Sequence, residues 1–102
     1  VLLHESQITP AKLTRIYLAG SFGAHLRASS LQRIGVLPED VAPDRILSVG
    51  NAAGAGVVHM LCRREAWEQA LQVARSAKYV ELAGMPLFDE LFIEHMQFPS
   101  RP

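Results

Sequence analysis

The chain has 102 residues, 49% of them hydrophobic and 20% charged, and its ten basic and ten acidic side chains cancel to a formal net charge of zero. That is the composition of one small globular domain, not of a disordered segment. Without a net positive field, nucleic acid and anionic membranes are poor candidates as partners.

The predicted elements alternate along the chain. Leu2 to Gln7 reads as the tail of a helix, and Thr9-Pro10-Ala11 as a turn or helix start, with Thr able to cap and Pro suited to the first helical position. Leu13 to Ala19 reads as a strand, with β-branched or aromatic residues at Thr14, Ile16 and Tyr17. Ala24 to Ile34 is expected to be a helix stopped near Gly35. "VLPEDVAPD" reads as a loop broken by Pro38 and Pro43, and Ile46 to Val49 as a second strand.

Ala52 to Ala77 is expected to be helical, in one piece or in two bent around "CRRE". In its second half Ala66, Ala70, Val73, Ala74 and Ala77 form an apolar stripe at helical spacing. Tyr79 to Leu82 reads as a third short strand. Pro86 opens a last helix, with Phe88, Leu91, Phe92, His95 and Met96 on one face. Strands alternating with helices predict an α/β layer with parallel neighbours and a right-handed crossover. A sheet this narrow, in a chain with no initiator Met, is expected to be a fragment of a larger domain.

Two glycine-bearing turns, "AGSFG" and "VGNAAGAG", each follow a strand and precede a helix. Ligands of open α/β sheets bind beyond the carboxyl ends of the strands, and glycine lets a ring or phosphate lie against the main chain. Neither turn is a standard phosphate motif. No Lys-Ser/Thr follows the second, and where a dinucleotide fingerprint needs its third glycine the chain has His59. Each turn alone reads first as a tight connection, with Gly50 ending a strand, Asn51 capping a helix, and Ala53, Gly54 and Gly56 small for packing. Two such turns at the same end of adjacent strands point to a shared cleft.

The other chemistry-bearing residues are dispersed. His4, His25, His59 and His95 have no metal-binding spacing, and only His25 lies beside a glycine turn. Ser21 lacks the G-x-S-x-G frame of a nucleophile, so no catalytic residue is assigned. Arg27 is close enough to the first turn to meet a phosphate; Arg63, Arg64 and Glu65 read as a solvated surface. The one cysteine, Cys62, forms neither an internal disulfide nor a metal motif, and a free thiol fits a reducing cytoplasm. No apolar run is long enough to span a membrane.

The stretches "IYLAGSFGAHL", "IGVLPED", "VGNAAGAG" and "YVELAGMPLFDELFIEHMQFP", in that order, resemble the C-terminal part of the reductive activators of corrinoid-dependent methyltransferases. These are iron–sulfur proteins with a domain of the acetate and sugar kinase, Hsc70 and actin (ASKHA) superfamily. The resemblance implies an α/β fold, a partial ribonuclease-H-like (ASKHA) subdomain of short parallel strands with packed helices, with residues 1–102 forming the C-terminal subdomain of a larger ATPase domain. It maps the adenosine motif onto Gly20, Ser21, Phe22 and Gly23, with Ser21 standing where the family has a second glycine. It places the second turn, Gly50, Asn51, Ala52, Ala53 and Gly54, at the nucleotide or shaping its cleft.

The phosphate loops that hold ATP and Mg²⁺ in the superfamily, and the cysteines that hold a [2Fe–2S] cluster in the family, are not found in this sequence. Both are therefore expected in the parent protein, whose partner is a corrinoid protein or a cobalamin-dependent methyltransferase. Two other readings stay open: a piece of a sugar- or acyl-kinase-like phosphotransferase, and a non-catalytic binding or assembly module. The Leu13–Ala19 strand is expected to leave an open sheet edge that invites self-association.

Overall fold

The fold follows from a computed structural model that describes residues 1–100, with the side chain of Phe22 outside the description. Helix α1 (Leu2–Glu5) leads to a 3₁₀ turn (Pro10–Lys12) and strand β1 (Ile16–Ala19). Helices α2 (Gly20–His25) and α3 (Ala28–Arg33) follow, then a 3₁₀ turn (Pro43–Arg45), strand β2 (Ile46–Gly50), and helices α4 (Ala52–Cys62), α5 (Arg64–Ser76) and α6 (Pro86–Glu94). The architecture is α/β, as the alternation predicts.

The sheet has two parallel strands, pairing Ile16 with Ile46, Tyr17 with Leu47, Leu18 with Ser48 and Ala19 with Gly50. The register slips between Leu18 and Ala19, so Val49 is passed over. Pairing starts only at Ile16 because the segment before Ile46 is a 3₁₀ turn that offers no strand to Leu13–Arg15. Arg45 instead donates from Nη1 to the Leu13 carbonyl at 3.4 Å. The first strand is therefore shorter than its sequence suggests.

Alternation puts Ile16, Leu18, Ile46 and Ser48 on one face of the sheet. Helix α2 lies on that face. Gly23 is buried there, and a Cβ on it would collide with the backbone carbonyl of Leu18. Ser48 Oγ, from β2, donates a hydrogen bond to the Gly23 carbonyl. The opposite face carries Tyr17 at 57% exposure, Leu47 at 37% and Val49 at 41%. Parallel sheets are normally covered on both faces, so this one is half-dressed.

The helix expected over Ala24–Ile34 is two helices. The first begins four residues earlier, at Gly20 itself, and the break falls at Arg27, which is extended at φ −80° and ψ 133°. Gly-Ser-Phe-Gly has weak intrinsic helix propensity, and packing on the sheet is what makes it helical. Helix α3 answers to a different partner. Its Gln32 is buried and donates from Nε2 to the carbonyls of Pro38 at 2.8 Å and Val41 at 2.7 Å, tying down the "VLPEDV" loop. Gly35 ends α3 as expected: its N–H bonds the Gln32 carbonyl at 3.1 Å and that of Val36 bonds Leu31 at 2.9 Å, the paired pattern of a left-handed helix terminus.

Tyr79–Leu82 is not a strand. Its alternating pattern is real, but a strand exists only where another is there to pair with it, and among the described residues the sheet stops at β1 and β2. Glu81 satisfies the segment locally: it accepts from the Tyr79 hydroxyl at 2.7 Å and from the Ala83 N–H at 3.3 Å. The first of these bonds holds the Tyr79 phenol above its ordinary pKa.

The long helical stretch is broken at Arg63 (φ −141°, ψ 121°) into α4 and α5, matching the expected bend. Of the α5 stripe, Ala66 is buried and Ala70 half-buried, whereas Val73 is 66% exposed. On α6, Phe88 and Phe92 sit with ring centroids 6.0 Å apart, and Phe92 is 61% exposed. Among the described residues the buried apolar side chains are Leu31, Val41, Ile46 and Ala66. The radius of gyration is 16.5 Å, against about 13 Å for a compact chain of this length.

Gly23→Ala and Gly56→Ala give opposite results in the full-length protein by denaturant unfolding. The first forces α2 off β1 and lowers stability by about 2 kcal/mol or more. The second projects into open space and is neutral or stabilising by up to about 1 kcal/mol through helix propensity.

Candidate functional site

Parallel pairing fixes the site. Both strands run the same way and end at the paired residues Ala19 and Gly50, so both glycine turns open at the same end of the sheet. Between them lies a cavity of about 460 Å³ lined by Gly20, Ser21, Ala24, His25, Gly50 and Asn51. The two turns singled out by sequence do form one cleft.

Gly20 and Gly50 are its floor. Both lie in the left-handed region, at φ +76° and +58°, where a side chain is strained. A Cβ on either would meet nothing within 4 Å. These glycines are thus required by backbone conformation, and they leave bare main chain facing the open space. One wall is α2. Ser21, Ala24 and His25 stand three and four residues apart, so they share one helix face. Ala24 and His25 enter the site because α2 starts at Gly20, a boundary the sequence reading placed four residues late.

The other wall is the start of α4. Asn51 caps it: its Oδ1 accepts from the Gly54 N–H at 2.9 Å. The N–H groups of Ala52 and Ala53 have no helical carbonyl behind them, as in any first turn. Gly54 is small for a local reason, since a Cβ there would lie 2.5 Å from Asn51 Nδ2.

The sequence-predicted site residues thus divide by role. Gly20, Ser21, Gly50 and Asn51 line the cleft. Gly23 packs beneath it, and Gly54 accommodates the Asn51 cap. Ala52 and Ala53 form the first turn of α4 behind Asn51. The side chain of Phe22 lies outside the described residues. Sequence reasoning missed Ser48, whose hydrogen bond clamps α2 to β2. The available signal was a hydroxyl in the middle of the apolar run "ILSVG".

The six lining residues include no lysine, arginine, aspartate or glutamate. Such a cleft suits the uncharged part of a ligand, a flat ring or a sugar, resting on glycine backbone with a hydroxyl, a carboxamide and an imidazole at its rim. Among the described residues no group of three or more His, Cys, Asp or Glu side chains converges to hold a metal ion. No helix among them is long and apolar enough to cross a membrane.

Comparison with known proteins gives the family. The family model described as the C-terminal domain of RACo, the ASKHA domain, matches residues 1–102. The chain belongs to this RACo C-terminal family. It is also similar to the corrinoid activation enzyme RamQ of Eubacterium limosum, with 31% identity over 91 residues, 89% of this chain. The chain spans 15% of the length of RamQ. Membership of the RACo family establishes the α/β fold class as part of an ASKHA domain.

Asn51 and Gly54 form a coupled pair, measurable by a double-mutant cycle on stability. Asn51→Ala costs about 1 kcal/mol through loss of the cap. Gly54→Ala is destabilising in the native background, where the new methyl displaces the Asn51 side chain. In the Asn51→Ala background it is harmless, so the two effects are non-additive by about 0.5 kcal/mol or more.

Proposed function

We propose that this chain supplies the adenosine side of a nucleotide cleft, as the C-terminal subdomain of a larger ASKHA-type domain in an ATP-dependent reductive activator of corrinoid proteins. The observation that carries the reading is the single cleft formed by the Gly20 and Gly50 turns beyond the carboxyl ends of β1 and β2. Its neutral lining suits adenosine and not the triphosphate. Family membership and the similarity to RamQ support corrinoid activation as the parent's task.

The division of labour follows from the residues. Gly20 and Gly50 let a nucleoside lie on the main chain, and Ser21 and Asn51 offer hydrogen bonds at its edge. The phosphates and Mg²⁺ fall to acidic and glycine-rich loops elsewhere in the parent. A [2Fe–2S] cluster needs several thiolates, and this chain has one cysteine, the exposed Cys62. The residues here do not fit a cluster, which would belong to another domain. The half-covered sheet supports the subdomain reading, since Tyr17, Leu47 and Val49 call for a covering layer. The parent's partner would be a corrinoid protein or a cobalamin-dependent methyltransferase in the cytoplasm.

In calorimetry, the full-length protein binds Mg-ATP, and the 102-residue chain alone binds it at least about 100-fold more weakly, a loss of roughly 2.7 kcal/mol. Ala24→Leu, which fills the cleft from a helix position without backbone strain, weakens binding in the full-length protein. Tight Mg-dependent binding by the isolated chain, or an Ala24→Leu protein that binds as the native one does, would refute the split-cleft reading.

The free edge of β1 supports a further expectation for the isolated chain. An unpaired strand edge beside exposed Tyr17 is a template for a second copy. Light scattering should show a mass that rises with concentration; a constant monomer mass contradicts it.

A further inference from the structure

His25 is the one aromatic ring among the six residues lining the cleft. It is the last residue of α2, exposed, and on the same helix face as Ser21 and Ala24. Ala24 is small, so the cleft stays open between the ring and the Gly20–Gly50 floor. Among the described side chains nothing else in the lining discriminates one flat ring from another: glycine backbone accepts any of them, and Ser21 and Asn51 hydrogen-bond without regard to ring size. An aromatic side chain stacks on any base but gives a modest preference, because stacking strengthens with the overlapping area, and a purine offers two fused rings where a pyrimidine offers one.

We infer that His25 is a specificity-determining residue of this cleft, its imidazole stacking on the base of a bound purine nucleotide and favouring purines over pyrimidines. The inference rests on the adenosine-side reading above and adds the residue that reads the base. The neutral lining places the base and sugar, not the phosphates, beside His25. His25 is exposed and lines the same cleft as Gly20 and Gly50, so the inferred contact is its ring closing over a base that rests on their backbone.

The test titrates ADP and CDP against the full-length protein and its His25→Ala and His25→Phe variants. His25→Ala should weaken ADP by about 5- to 100-fold, the range of a lost stacking contact, and reduce the preference for ADP over CDP. His25→Phe, which keeps a stacking ring and removes the nitrogens, should hold ADP affinity within about threefold of the native value. The inference is overturned if His25→Ala leaves ADP affinity unchanged, if it weakens both nucleotides equally, or if His25→Phe behaves like His25→Ala. The two readings fail separately. A native response of His25→Ala beside a lost response of Ala24→Leu removes the role of His25 alone. A native protein that binds neither nucleotide removes both readings.

Discussion

Everything in this fold that bears on function depends on the parallel pairing of β1 with β2, which carries one irregularity. A regular register would set Ala19 opposite Val49 and Gly20 opposite Gly50. The slip sets Ala19 opposite Gly50, and bulges of this kind are a known means of re-aiming a strand end. Gly50 is thereby drawn in to the level of Ala19, one residue short of Gly20, and both left-handed glycines line the same space. One helix follows each glycine turn, and the space between the turns is the cleft.

The clamp that maintains this arrangement is compact. Ser48, on the covered face of β2, bonds the carbonyl of Gly23 in α2, and Gly23 itself permits α2 to touch the backbone of β1. One hydroxyl and one missing Cβ therefore hold the first glycine turn against the second strand. On the far side Asn51 fixes the start of α4 through Gly54. The cleft walls are held by short-range contacts within the chain, while much of the apolar surface behind them is left open. Tyr17, Val58, Leu61 and Trp67 are each at least half exposed. A well-formed site on a sparsely covered body is what a half-site on a larger domain would present.

Much of this was legible in the sequence because the signals are local. Glycine turns after strands, the Asn51 cap, the break at Arg63 and the start of α6 at Pro86 each announce themselves within a few residues. The misreadings share another cause. Tyr79–Leu82 has strand-like residues, but among the described residues no neighbouring strand pairs with them. The early start of α2 at Gly20 runs against propensity and is settled by contact with the sheet, and Arg27 breaks the helical stretch without a glycine or proline to mark it. Ser48 and Gln32 act through partners 25 and 6 or 9 residues away, so their roles emerge only once the chain has folded. His25 entered the site for the same reason: its helix face was set by a boundary that packing decides.

The central claim is that these two turns together hold a nucleoside. Hydrogen exchange of the full-length protein with and without Mg-ADP tests it most directly. The account predicts slowed amide exchange at 20–25 and at 50–54 together when nucleotide is present, with 64–76 unchanged. Protection confined to one turn, or absent from both while nucleotide is bound, would contradict it.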